Sequence, residues 1–143
     1  MWIVIGVKLM AAGTLFWMSL EDIKTKSVSL KAIGLLFLLG VFNFLFGSAP
    51  TWWSLLMGAV LGILLILFSF ASRQKLGMAD ALSITGLGVL FGVELSFLIF
   101  VAALFLLLLV SIPGLFCKKI SLTSELPFLP FLFVSFIGVI LCA

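Results

Sequence analysis

Two aspartates, Asp22 and Asp80, carry the chemistry open to this chain. It has five acidic residues among 143, no histidine, and 65% hydrophobic residues. In so apolar a chain, a carboxylate kept at a membrane face is a functional candidate by default, because an ion there is costly to hold. Two carboxylates sharing one proton can do the work of an aspartic protease. One takes a proton from water while the other donates a hydrogen bond to the carbonyl under attack. Close like charges cannot both ionise, so the two apparent pKa values of such a pair separate. The missing histidine excludes His-based catalysis and most zinc chemistry. Cys117 and Cys142 have no metal-ligand spacing, so neither a metal nor an organic cofactor is expected.

The elements that must bring the aspartates together are apolar runs. Charged residues make up 9% of the chain, against about 25% in soluble domains, and the mean hydropathy is +1.51. Continuous runs exclude a transmembrane β-barrel, which needs alternating strands of about ten residues. About twenty apolar residues cross a bilayer. Six runs fit, over about 2–20, 32–47, 52–71, 81–93, 95–116 and 126–143. The expected fold is therefore an all-α polytopic membrane protein, one domain over 1–143 with six transmembrane helices. The first run lacks a convincing cleavage site and reads as a retained helix rather than a signal peptide.

The basic residues orient it. Lys24, Lys26, Lys31, Arg73, Lys75, Lys118 and Lys119 fall in the connections after the first, third and fifth runs, and Lys8 alone lies elsewhere. The positive-inside rule makes those connections cytoplasmic and puts both termini outside. Trp2, Trp52 and Trp53 then lie at the outer interface, where indoles concentrate. Asp22 opens the first cytoplasmic connection and Asp80 closes the second. The second and third runs form a hairpin that carries the chain out and back, so both aspartates return to one face. No basic groove interleaved with stacking aromatics exists, so no nucleic-acid partner is expected.

Each aspartate alone has a plainer reading. Asp80-Ala81-Leu82-Ser83 looks like a helix start with Asp as N-cap, and Glu21-Asp22-Ile23-Lys24 looks like a solvated turn. The functional reading rests on their conjunction. Helix dipoles suggest an asymmetry: Asp22 follows a helix C-terminus, which disfavours its charge, while Asp80 precedes an N-terminus. On that ground Asp22 is expected to hold the shared proton. Gly77, three residues before Asp80, is expected at positive φ, where the backbone could approach a substrate strand.

With those residues in view, the chain resembles the peptidase unit of the type IV prepilin peptidases, the bacterial GxGD-type membrane aspartic proteases. Asp22-Ile23-Lys24-Thr25-Lys26-Ser27-Val28 is similar to the family's first-aspartate motif. Gly77-Met78-Ala79-Asp80 is similar to Gly-x-Gly-Asp, and Leu126-Pro127-Phe128-Leu129-Pro130-Phe131-Leu132 to a late Pro-Phe-x-Pro-Phe-Leu element. Ala79 stands where the family has its second glycine, Leu82 where it commonly has lysine, and Val28-Ser29 where Ile-Pro is usual. The resemblance implies catalysis by Asp22 and Asp80, and substrate contact by Gly77, Met78, Ala79, Pro127, Phe128 and Pro130. It implies cleavage of the basic leader of prepilin-like single-span substrates, including those of tight-adherence (Flp) pili, at the cytoplasmic face of the bacterial inner membrane. The chain resembles the short, peptidase-only members, without the cysteine-rich methylating part. The rivals are an inactive relative acting as a membrane assembly factor and a small transporter. A transporter would place polar groups at mid-membrane, where this chain has mainly Asn43.

The remaining polar and small residues have structural readings. Pro127 and Pro130 fit the first turn of the last helix. Glu125 could cap that helix or pair with Lys118 or Lys119, and Glu94 belongs at the outer interface. Gly58, Gly62, Gly86, Gly88 and Gly92 read as contacts for close helix packing. The topology is open to a direct test. In a background lacking the native cysteines, a cysteine at Ser72 should react with an impermeant thiol reagent only from the cytoplasmic side. Labelling only from outside would invert the orientation and remove the shared face.

Overall fold

The computed structural model describes residues 1–46, 50–72, 77–119 and 126–142. These residues form six helices: α1 (Trp2–Thr25), α2 (Leu30–Phe46), α3 (Trp52–Ala71), α4 (Met78–Phe91), α5 (Val93–Phe116) and α6 (Leu129–Cys142). Arg73, Lys75, Glu125 and the turn residues 47–49 lie outside the described residues.

The apolar runs set these helices, and local capping sets their ends. α3 has the expected bounds. α1 runs one turn beyond its apolar stretch and stops at Lys26, which takes the left-handed conformation (φ 51°) and donates its N–H to the Asp22 carbonyl at 2.9 Å. α4 begins three residues before the apolar run, at Met78, with Gly77 as N-cap. α6 begins at Leu129, so Pro127 precedes the helix. Pro130 sits in its first turn, where a missing N–H breaks no helical bond.

α1, α3 and α5 are long and apolar enough to cross a membrane, while α2, α4 and α6 are shorter apolar helices. Large side chains such as Phe97, Leu98, Phe105 and Leu108 face outward. Helices apolar on their outer faces as well as their inner ones belong in lipid, so this is a membrane protein. At 1.5 Å per residue the 24 residues of α1 span about 36 Å, against a hydrocarbon layer of about 30 Å. About one turn of it exceeds that layer.

α4 is the inner helix. Nine of its 14 residues are buried, whereas α3 buries only Gly58, Gly62 and Ser69 of its 20. α4 packs on α2, α3 and α5; α1 packs on α2 and α6; α5 packs on α3 and α6. The expected hairpin of the second and third runs is thus filled by α4, which lies against both. Small residues make room for it. A Cβ on Gly88 would stand 2.6 Å from the Gly58 carbonyl oxygen, and the reverse contact is the same. Gly62 faces the Thr85 side chain one turn away. Lipid tails give apolar helices no hydrophobic reason to associate, so this close packing holds α3 on α4.

Two polar contacts tie the opposite end. Asn43 Nδ2 donates to the Leu90 carbonyl at 3.0 Å, joining α2 to the last turn of α4. Gly92, expected as a packing glycine, is instead the single-residue joint between α4 and α5. It has φ 84° and donates to the Gly88 carbonyl at 2.9 Å. Val93 N–H next to it donates to Ser54 Oγ on α3 at 3.2 Å.

The glycine contact gives a stability prediction. Gly88→Ala should force two backbones apart and cost about 1–3 kcal/mol, as overpacking does. Gly6→Ala, whose Cβ meets nothing within 4 Å, should be neutral or mildly stabilising. Thermal unfolding in one detergent checks both. Equal midpoints for parent and Gly88→Ala would mean that α3 and α4 separate without cost.

Candidate active site

Asp22 belongs to the buried stripe of α1. Val7, Ala11, Leu15, Met18 and Asp22 recur at helical spacing on one face. The carboxylate therefore continues the core stripe at the end of the helix's apolar run, and it is only 9% exposed. Its partner comes from 107 residues away: Leu129 N–H donates to Asp22 Oδ2 at 3.2 Å. Leu129 is the first residue of α6. The first N–H groups of a helix have no partner within it, and Asp22 supplies one. The positive end of α6 favours the charged form of that carboxylate.

Asp80 lies in the first turn of α4, ahead of the apolar run that starts at Ala81. The helix-cap reading of Asp80 is not what the structure has. Gly77 is the N-cap, no side chain caps the helix, and Asp80 N–H bonds to the Gly77 carbonyl at 3.1 Å. The Asp80 carboxyl is thereby released from capping. Burial pushes its pKa up to about 7, and the charge of Asp22 adds to the rise. Burial also raises Asp22, while the Leu129 N–H pulls it down. Asp80 keeps more accessible surface than Asp22, but more protein crowds its carboxyl.

These directions correct the expected asymmetry. The dipole of its own helix had assigned the shared proton to Asp22. The N-terminus of α6 supports Asp22 as an anion, and at Asp80 burial outweighs the dipole of α4. Burial raises both carboxyls, Asp80 the more, so near neutral pH the shared proton favours Asp80.

The segment before Asp80 also differs from expectation. Gly77 has φ −59° and ψ 130°, which any residue adopts. The demand for glycine is one of space: a Cβ there would lie 2.7 Å from Asp80 Oδ2. Met78 and Ala79 are half-buried and helical, not an extended strip for a substrate strand. Alanine is the best helix former, so Ala79 introduces no strain where the family has glycine. Leu82 packs against the core.

Pro127 and Pro130 are half-buried and flank Leu129. Phe128 is buried edge-on against Phe100, with ring centroids 6.2 Å apart; it fixes where α6 starts. Glu94 is exposed in the first turn of α5. Asn43 is spent on the Leu90 carbonyl. Among the described residues no three His, Cys, Asp or Glu side chains converge as metal ligands.

Sequence reasoning missed Glu21. Its carboxylate accepts Trp17 Nε1–H at 2.7 Å and Ser29 N–H at 2.9 Å, tying the end of α1 to the approach to α2. These bonds hold its pKa below the usual carboxylate range. The Trp17–Glu21 spacing of four was a visible signal; the Ser29 contact depends on the turn.

A model described as the type IV leader peptidase family matches residues 9–112. That range includes both aspartates and ends before α6. No curated protein and no solved structure matches the chain.

Asp22 and Asp80 are the only aspartates in the sequence, which makes their titration directly readable. In protein labelled with carboxyl-¹³C aspartate, the Asp80 signal should titrate near 7. In Asp22→Asn it should titrate lower, because the anion that opposes its ionisation is gone. An unchanged midpoint in the variant would mean that the two carboxyls do not interact.

Proposed function

The chain belongs to the type IV leader peptidase family, and on that premise we propose that it is a membrane aspartic endopeptidase with Asp22 and Asp80 as its catalytic pair. The single observation that carries this reading is geometric: the fold draws both aspartates inward at helix ends from opposite halves of the chain, Asp22 onto the Leu129 N–H and Asp80 into a buried place where the charge of Asp22 adds to the rise in its pKa.

The roles follow from the environments. Asp22, charged and held by Leu129 N–H, takes a proton from a water molecule. The water oxygen attacks the scissile carbonyl carbon. Asp80 donates its hydrogen bond to the carbonyl oxygen as negative charge develops there. Collapse of the tetrahedral intermediate breaks the C–N bond, and the proton held by Asp22 passes to the leaving nitrogen. The dyad then again carries one proton between two carboxyls.

The substrate class is the basic leader of prepilin-like single-span proteins, including those of Flp-type pili. The six helices are taken as six crossings with both termini outside, in the bacterial inner membrane, and the pair works at the cytoplasmic face. The basic connections support this orientation. The helical conformation of Ala79 favours activity over the inactive-relative reading. Asn43, engaged with Leu90, offers nothing to a transport path.

Two sets of variants test the proposal with a co-expressed prepilin and a gel-shift readout. Asp22→Asn and Asp80→Asn should each lower leader cleavage by about 100-fold or more, the scale of a lost acid or base. Glu94→Gln should retain most activity. Near-parental cleavage by either Asp variant would rule out the pair. In the parent, rate should fall on the alkaline side as Asp80 loses its proton and on the acid side as Asp22 gains one.

Gly77→Val should also cut turnover strongly at matched amounts of monodisperse protein, since its side chain displaces the Asp80 carboxyl. The Asp80 titration should move with it. Parental turnover by Gly77→Val would mean that the carboxyl is not fixed by that contact.

A further inference from the structure

Outside the dyad, a groove of about 850 Å³ runs between α1 and α2, bounded by Met10, Gly13, Trp17 and Glu21 on one side and Lys31 and Leu35 on the other. Its walls are apolar except at one end. In a bilayer such a groove is filled by something, and two observations say by what.

The first is length. Met10 and Glu21 stand 11 residues apart, about 16 Å of helix, or half of a hydrocarbon layer of about 30 Å. A spanning helix of another protein would need a face about twice as long. A diacyl lipid occupies one leaflet. The second is charge. Among the described residues Glu21 and Lys31 are the only charged ones along the groove, one anion and one cation, and both stand at its polar end. Lys31 is exposed and makes no ion pair among the described residues. Glu21 is fixed in place by Trp17 and Ser29, and a carboxylate has lone pairs beyond the two those donors use.

We propose that this groove is a binding site for one zwitterionic aminophospholipid from the leaflet on the Asp22 side. Its phosphate pairs with Lys31, its primary ammonium donates to Glu21, and its acyl chains lie along Met10, Gly13 and Leu35. A primary ammonium has protons to donate. The quaternary ammonium of a choline lipid has none, and a glycerol headgroup brings no cation for Glu21. The site is separate from the proposed cleavage chemistry and does not rest on it.

Gly13 supplies the test, because a Cβ there meets nothing within 4 Å. Leucine at this position should fill the groove while leaving the helices in place. Parent, Gly13→Leu and Lys31→Gln are reconstituted in vesicles of equimolar phosphatidylethanolamine, phosphatidylcholine and phosphatidylglycerol, re-extracted in mild detergent, and their retained lipids quantified by mass spectrometry. The parent should retain phosphatidylethanolamine above its share in the vesicle. Gly13→Leu should lose that enrichment at an unchanged unfolding midpoint, and Lys31→Gln should reduce it.

Retention of the three lipids in vesicle proportions by the parent overturns the proposal, as does enrichment of phosphatidylglycerol instead. Enrichment unchanged in Lys31→Gln overturns it too, and this exposed position decides the matter if Gly13→Leu does not fold. If Gly13→Leu keeps the lipid and loses leader cleavage, the groove belongs to the substrate and the proposal fails while the peptidase reading stands.

Discussion

Asp80 can stand beside Asp22 only because α4 is narrow enough to lie between α2 and α3. That constraint is met with backbone rather than side chains. Gly58 and Gly88 bring two main chains into contact, Gly62 opens a seat for Thr85, and Gly86 lies over the Leu36 side chain. A bulkier stripe on either helix would push α4 outward and carry Asp80 away with it. The Asn43–Leu90 bond and the Gly92 joint hold the far end of α4, so the position of its first turn is determined from both ends.

Asp22 is fixed by a different device. A carboxylate so little exposed needs a donor for its charge, and the last helix supplies a backbone N–H rather than a basic side chain. A lysine or arginine in that place would neutralise Asp22 and pull its affinity for a proton far down. One amide and a helix end favour the anion more gently, leaving a group still basic enough to accept a proton. Phe128, seated against Phe100, and the proline pair around Leu129 are what place that amide. The late Pro-Phe-x-Pro-Phe-Leu segment therefore has a physical task in this chain even though most of its side chains never reach the carboxylate.

The legible part of the molecule was the part with short-range causes. Apolar runs gave six helices, and α3 ends where its run does. Gly58 and Gly62 were read as close-packing residues, and they are. What the sequence did not reveal depends on contacts distant along the chain. The Leu129–Asp22 bond joins residues 107 apart, and together with the burial of Asp80 it counts against the proton assignment drawn from local helix dipoles. Gly77 looked like a positive-φ glycine because Gly-x-Gly-Asp invites that reading; its actual constraint is the Asp80 carboxyl folding back over it. Asp80 looked like a cap because Asp so often is one, and no local pattern distinguishes a helix starting at Met78 from one starting at Ala81. Glu21 was read as part of a solvated turn because its second donor, Ser29, reaches it only after Lys26 bends the chain.

Gly92 has a consequence for how the protein is made. With one residue between them, α4 and α5 have no loop, and neither can be threaded without the other. α4 is 14 residues long, short for a stop in a translocation channel, whereas α5 has 24 residues that include an 18-residue stretch of mean hydropathy 3.0. In the proposed six-crossing topology the two enter lipid as one hairpin, with α5 supplying the transfer free energy that α4 lacks. The helix that bears Asp80 thus depends on its successor for entry into lipid. In that topology Asp80 reaches its place only once the chain has been made through Phe116.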